Sequence, residues 1–207
     1  VFSSTTSWSL PREKCITRPE IGRILAQAKE TSPADYVFLA TAINTGLRMC
    51  EVVHLKKCDL LDGQLRITRR KKKNLKPEVI DVVPALWAVL AEWGQMFQGD
   101  EWLFPGRAGA CFVHRKNGAV IQVCNGGHVS RRNMQRRWDV ILRGVDLKMP
   151  GRGIHSARHY AVTRFYEDTR DLRACQMFAG HSSSMITERY AHVLEMREKV
   201  QSMGASL

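Results

Sequence analysis

Gly153-Ile154-His155-Ser156-Ala157-Arg158-His159 begins a stretch that passes through Ala179-Gly180-His181-Ser182-Ser183 and closes on Thr187-Glu188-Arg189-Tyr190-Ala191-His192-Val193. The loop Met149-Pro150-Gly151-Arg152-Gly153 leads into it, and helix is expected over 156–168, 171–179 and 183–190. His155 and Arg158 are three apart, so they share a face of a helix start. The unpaired N–H groups of a helix start already favour phosphate, and a guanidinium fork and an imidazole beside them would make a phosphate cradle. The plainer reading is a structural histidine beside an unrelated arginine. Gly180 reads as a helix stop that presents His181 at the turn. A tyrosine on a short helix, as Tyr190 is expected to be, is by itself an ordinary half-buried packing residue. His159 reads as a packing or hydrogen-bonding residue.

Upstream, Thr17-Arg18-Pro19-Glu20 carries a capping box and an early proline, followed by Ile21, Ile24, Leu25 and Ala28 at helical spacing. Pro33 breaks that helix, and Ala34–Asn44 is apolar enough to be a second one buried on most sides. Gly46 ends it, Arg48 follows at the turn, and Glu51–Leu55 can begin a short helix. Arg48 alone reads as a surface arginine paired with Glu51. Gln64–Thr68 alternates like a strand and Val79–Val83 is β-branched, so the two are expected to form a hairpin. Its tip is strongly basic, with seven Lys or Arg from Arg66 to Lys76. That much like charge repels itself unless a polyanion neutralises it, although a solvated loop is the simpler reading. A helix is expected from Pro84 to about Phe97. An irregular, glycine-containing stretch follows from Trp102 to about His128. Ser130 is a plausible N-cap for a helix through Arg143 that clusters Arg131, Arg132, Arg136 and Arg137. The fold class is therefore mostly α with one small antiparallel β-sheet, an α+β domain.

Composition narrows the partner. Thirty-two Lys and Arg against 20 Asp and Glu leave a net charge of +12, which attracts polyanions, nucleic acid above all. Apolar residues make up 44% of the 207, enough for a sizeable core. No apolar run approaches the roughly 18 to 20 residues that span a bilayer, so no membrane partner is expected. Residues 1–7 lack the charged and apolar regions of a signal peptide. The six cysteines are scattered with no CxxC pair, which suits reduced thiols inside a cell. Cys111-x-x-His114 and Cys124-x-x-x-His128 offer four zinc-ligand types at a plausible spacing. A glycine-rich loop with two ordinary thiols explains them more simply, so no metal site is assigned.

Taken together, Thr45-Gly46-Leu47-Arg48-x-x-Glu51, the hairpin lysines, Leu103-Phe104-Pro105, His155-x-x-Arg158, Gly180-His181 and Tyr190 resemble, in this order, the tyrosine recombinase (phage integrase) family. The separations of three, 23 and nine residues between His155, Arg158, His181 and Tyr190 look like the family's. The resemblance covers about residues 15–195. It departs at Ser156, Ala157 and Ala179, where the family often has an acidic residue and leucines, and Ala108–Gly127 is longer than usual.

The resemblance implies the catalytic domain of a site-specific DNA recombinase. Tyr190 would attack a DNA phosphate and form a 3′-phosphotyrosyl link. Arg48 and Arg158 would grip the non-bridging oxygens, His155 would act as base or orienting donor, and His181 as a further donor. Lys71, with Lys72 and Lys73 as alternatives in register, would protonate the departing 5′-oxygen. Arg69, Arg70, Lys72, Lys73, Arg131, Arg132, Arg136 and Arg137 are the expected DNA contacts. The partner would be double-stranded DNA. No cofactor is implied: the chemistry needs neither metal nor ATP. Residues 1–14 would be a tail or interdomain linker and 15–207 the catalytic domain, with the family's N-terminal DNA-binding domain outside this sequence. Ala191–Met203 would dock on a neighbouring protomer or in cis, building a homo-tetramer on DNA. The setting would be cytoplasmic, at the nucleoid, in a mobile genetic element or a chromosomal resolvase. A type IB topoisomerase and a catalytically silent DNA-binding protein of the same fold are the competing readings.

Overall fold

The computed structural model describes residues 15–69, 77–96, 101–106, 111–116, 119–124 and 127–180. Seven α-helices, a 3-10 turn (Lys57–Asp59) and two small sheets occupy these residues. Helix α1 (Arg18–Thr31) starts on the expected capping box. The Thr17 amide donates to Glu20 Oε2 at 2.7 Å, and the Thr17 hydroxyl accepts from the Glu20 amide. Burial acts to raise the Glu20 carboxyl, but hydrogen bonds from Thr17 and Arg152 outweigh it and hold the group below the usual glutamate range. Ile21, Ile24 and Ala28 form the buried face.

Helix α2 (Pro33–Thr45) buries residues on every side and is the hub of the core, packing on α1, on α4 (Pro84–Met96) and on α6 (His155–Thr169). Phe38 meets Phe104 edge to face at 5.1 Å between ring centres. The Trp93 indole donates to the Leu103 carbonyl at 2.8 Å, so the Leu-Phe-Pro segment is locked onto α4. The short helix α3 (Met49–Val52) begins one residue after Arg48.

The first sheet is antiparallel, in the order β1 (Leu60–Leu61), β2 (Gln64–Thr68), β3 (Pro77–Asp81). Leu65 and Ile67 point into the core and Arg66 points out, the period-two pattern of a half-buried strand. The ladder runs to the pair Thr68 and Pro77. Val82 and Val83, expected in the strand, lie beyond its end.

The stretch expected to be irregular contains a second antiparallel hairpin, β4 (Cys111–Lys116) with β5 (Ala119–Cys124). Two residues, Asn117-Gly118, separate the strands, and Asn-Gly between β-branched runs is a strong hairpin signal. The register pairs Cys111 with Cys124 but His114 with Ile121. His128 lies at the root of the hairpin, bridged to Pro105. Its ring sits 4.0 Å from that of His54 and 5.1 Å from that of Trp102, with Nδ1 2.8 Å from the Val129 carbonyl.

Helix α5 (Arg131–Gly144) has Ser130 as its N-cap, accepting from the Asn133 amide at 3.1 Å. It buries Met134, Trp138, Ile141 and Leu142. Arg152, in the loop before α6, is buried and binds Glu20 and the Cys15 carbonyl, tying that loop to the start of α1. A separate small cluster joins α6 to α7 (Leu172–Ala179): Val162, Tyr166, Cys175 and Ala179, flanked by Phe165 and Phe178 stacked at 4.4 Å. Burial in this cluster, with some help from Asp171, pushes the Cys175 thiol up to about 11. Ser156, Ala157 and Ala179, where the sequence departs from the pattern it resembles, are all buried packing positions. Among the described residues no helix is long and apolar enough to cross a membrane.

Trp138 has no exposed surface and its indole donates to the Arg152 carbonyl at 3.2 Å. Trp138→Ala should therefore cost about 3–5 kcal/mol in urea denaturation; a loss under ~1 kcal/mol would contradict this view of the core.

Candidate active site

The last turn of α7 organises the site. A helix leaves its final carbonyls without intrahelical partners, and together they carry a partial negative charge. Here three consecutive carbonyls each receive a different guanidinium. Arg69 donates to Phe178 at 3.2 Å, Arg158 to Ala179 at 2.5 Å, and Arg48 to Gly180 at 3.4 Å. The three arginines come from three elements: the end of β2, the first turn of α6, and the N-cap of α3.

Arg158 also donates to the Gly46 carbonyl at 2.5 Å, so one guanidinium joins the C-terminal ends of α2 and α7. Both ends turn through glycines in the left-handed region, Gly46 at φ 61° and Gly180 at φ 59°. Close approach requires glycine at both. A Cβ on Gly46 would lie 2.6 Å from Cε1 of Phe178, and one on Gly180 would lie 2.7 Å from Cζ of Arg69. At the end of α2 the sequence explains the local geometry: an apolar helix, the stop at Gly46, and Arg48 two residues later.

Glu51 sets Arg48. Its buried carboxylate accepts from the Arg48 amide at 2.8 Å and from Arg48 Nη1 at 3.1 Å. Arg48 keeps only slight exposure and Arg158 is 7% exposed. His155 is the first residue of α6, exposed, and one turn ahead of Arg158. Arg48 and Arg158 therefore both reach the end of α7, Arg158 from the first turn of α6. A phosphate there would meet a rigid, permanently charged fork rather than a mobile ammonium.

Arg69, expected among the DNA contacts, is instead an interior residue, 2% exposed. Its Nε is 3.2 Å from Glu78 and its Nη1 is 3.6 Å from Glu51. Strand parity explains this, since Leu65, Ile67 and Arg69 all point inward. Arg137 also departs from its expected role: its guanidinium is paired at 2.6 Å with buried Asp35 and bonds Ser32, tying α5 to the start of α2. Burial raises the Asp35 carboxyl, and Arg137 opposes that shift. Arg131, Arg132 and Arg136 are exposed on the outer face of α5. Arg70, Lys71, Lys72, Lys73, His181 and Tyr190 lie outside the described residues. Among the described residues no three His, Cys, Asp or Glu side chains group as metal ligands do.

The model of the phage integrase family matches residues 14–197. The tyrosine recombinase XerC of Proteus mirabilis is 28% identical over 166 residues, covering 78% of this chain and 48% of that protein. Among solved structures, XerH recombinase bound to its palindromic difH substrate in a post-cleavage complex has a TM-score of 0.68 at 19% identity. That alignment covers 91% of this chain and 52% of XerH. The catalytic domain of bacteriophage HP1 integrase has a TM-score of 0.60 at 16% identity, over 86% of this chain and 87% of that one. The chain thus spans about half the length of the curated relatives it matches.

The glycine requirement is testable by contrast. Gly180→Ala, strained in φ and pressed against Arg69, should destabilise by about 1–3 kcal/mol. Gly22→Ala, in open space on α1, should stabilise by about 0.5–1 kcal/mol. Equal effects in urea denaturation would contradict the packing described here.

Proposed function

We propose that this chain, which belongs to the phage integrase family, cuts and rejoins double-stranded DNA at specific sites as the catalytic domain of a tyrosine recombinase. The observation that carries the reading is the pair Arg48 and Arg158, held by the same helix end and by buried carbonyls beside the start of α6. Fixed positive charge of this kind stabilises a phosphorane, where charge develops on the non-bridging oxygens. Tyr190 Oη attacks the scissile phosphorus, the bond to the 5′-oxygen breaks, and Lys71 supplies that oxygen with a proton. The phenol, with a reference pKa near ~10, needs help to lose its own proton, and His155 is placed in sequence to give it. His181 adds a donor to the phosphate. The 3′-phosphotyrosyl link retains the energy of the broken ester, so a 5′-hydroxyl from a second strand reverses the step and no nucleotide is consumed.

Packing of the other tyrosines supports Tyr190 as the nucleophile. Tyr36 and Tyr160 pack on the main core, and Tyr166 is buried between α6 and α7. The net charge of +12 and the exposed arginines of α5 support a duplex partner. The relatives are integrases and recombinases, which favours strand exchange over topoisomerase-like relaxation. Assembly as a homo-tetramer through the segment after Tyr190, and action at the nucleoid in the cytoplasm, complete the proposal. The structures of XerH on its difH substrate and of λ integrase on a COC′ core site are DNA complexes, which supports the duplex as partner.

On a nicked duplex spanning the ends of the DNA element that encodes the chain, in EDTA, the wild type should form a protein–DNA adduct stable to denaturing gels. Tyr190→Phe should form none while binding the duplex equally. An adduct from Tyr190→Phe would overturn the assignment. Lys71→Ala should slow cleavage by roughly 10²- to 10⁴-fold, and a 5′-bridging phosphorothiolate, whose leaving group needs no proton, should restore it. Rescue of Lys72→Ala or Lys73→Ala instead would move the acid to that residue.

A further inference from the structure

Arg69 is the most deeply buried cation of the described residues, and the proposed phosphate grip is assigned to Arg48 and Arg158. Burying a guanidinium costs several kcal/mol unless it is well paired, and an apolar side chain of similar volume would fill such a site at lower cost. Arg66, three residues earlier on the same strand, is exposed, so the strand can carry an arginine outside. The interior position of Arg69 is therefore better explained by what its fork connects than by packing. Nε reaches Glu78 on the neighbouring strand, and Nη2 reaches the Phe178 carbonyl. Nη1 faces Glu51, the carboxylate that also holds the amide and side chain of Arg48. Gly180 packs so closely on this group that a Cβ there would lie 2.7 Å from both Cζ and Nε of Arg69.

The geometry points to Arg69 as a positioning residue: one buried guanidinium sets the distance between Arg48 and the α7 turn, and fixes both to the strand end that leads into Lys71. This rests on the recombinase reading for its consequence and on the contacts alone for its geometry. Lys71 is two residues beyond Arg69, and His181 is one beyond Gly180. The acid side and the phosphate side of the reaction would then share a single mechanical tie. Lysine is a poor replacement: its donors sit on a single nitrogen, whereas the guanidinium spreads Nε to Glu78, Nη2 to the Phe178 carbonyl and Nη1 to within 3.6 Å of Glu51.

The test uses the full-length protein with Arg69→Lys and Arg69→Met. Hydrogen exchange should accelerate at least ~10-fold at the amides of Arg48 and Gly180, which this network holds, and stay unchanged at core amides such as Ile141. On the nicked duplex described above, the dissociation constant should hold within about twofold while single-turnover cleavage falls roughly 10- to 100-fold, the effect of a displacement near 1 Å. Cleavage at the wild-type rate by either variant, or exchange rising equally throughout the domain, overturns the proposal. If the wild type forms no adduct, the recombinase reading fails, and the exchange pattern still decides whether Arg69 holds the turn. If neither variant folds, Glu78→Gln loosens the same guanidinium from a partly exposed position. It should give the same local pattern in weaker form, and wild-type exchange in Glu78→Gln overturns the proposal.

Discussion

Three guanidinium groups on three successive carbonyls at the end of α7 are the constraint on which the rest of the structure depends. A helix end buried without partners is costly, and arginines buried without partners are costlier. Each cancels the other's penalty here. Charge-assisted hydrogen bonds of this sort contribute about 1.5–3 kcal/mol apiece when desolvated. The arginines also lose their side-chain freedom during folding, before any ligand arrives. That is the physical content of a pre-organised site: the cost of orienting charge is met in the folded state and not at the moment of reaction.

The fold exists to bring those groups together. Helix α2 supplies the hub, and its glycine stop lets Phe178 and Arg158 approach its last carbonyls. The sheet carries Arg69 inward by strand parity, and α6 carries His155 and Arg158 on adjacent turns. Glu51 balances two of the three cations, which is why a buried carboxylate stands at the centre of a basic site. The α6–α7 cluster is small, so the position of the α7 turn depends on these polar bonds more than on apolar area.

Most of the helices were legible because their signals are local. The capping box at Thr17, the stop at Gly46 and the cap at Ser130 act within a few residues and fold as read. Motif order singles out Arg48 and Arg158, and both guanidinium groups meet the end of α7. Arg69 is not singled out: within a basic run it looks solvated, and its fate is decided by Phe178, 109 residues away. Arg137's ion pair is likewise not legible locally, since its partner Asp35 lies on another helix. The β4–β5 hairpin is a different failure. Its Asn117-Gly118 turn signal is present, but the glycines around it mask the short β-branched run Val120, Ile121 and Val123.

The most direct test of the account is to locate the covalent bond. Adduct trapped on nicked DNA in EDTA would be digested with nuclease and protease, and the nucleotide-bearing peptide sequenced by mass spectrometry. The chain has four tyrosines, Tyr36, Tyr160, Tyr166 and Tyr190. The account requires the phosphate on Tyr190. Phosphate on any of the three packed tyrosines, or on a serine or histidine, would contradict it.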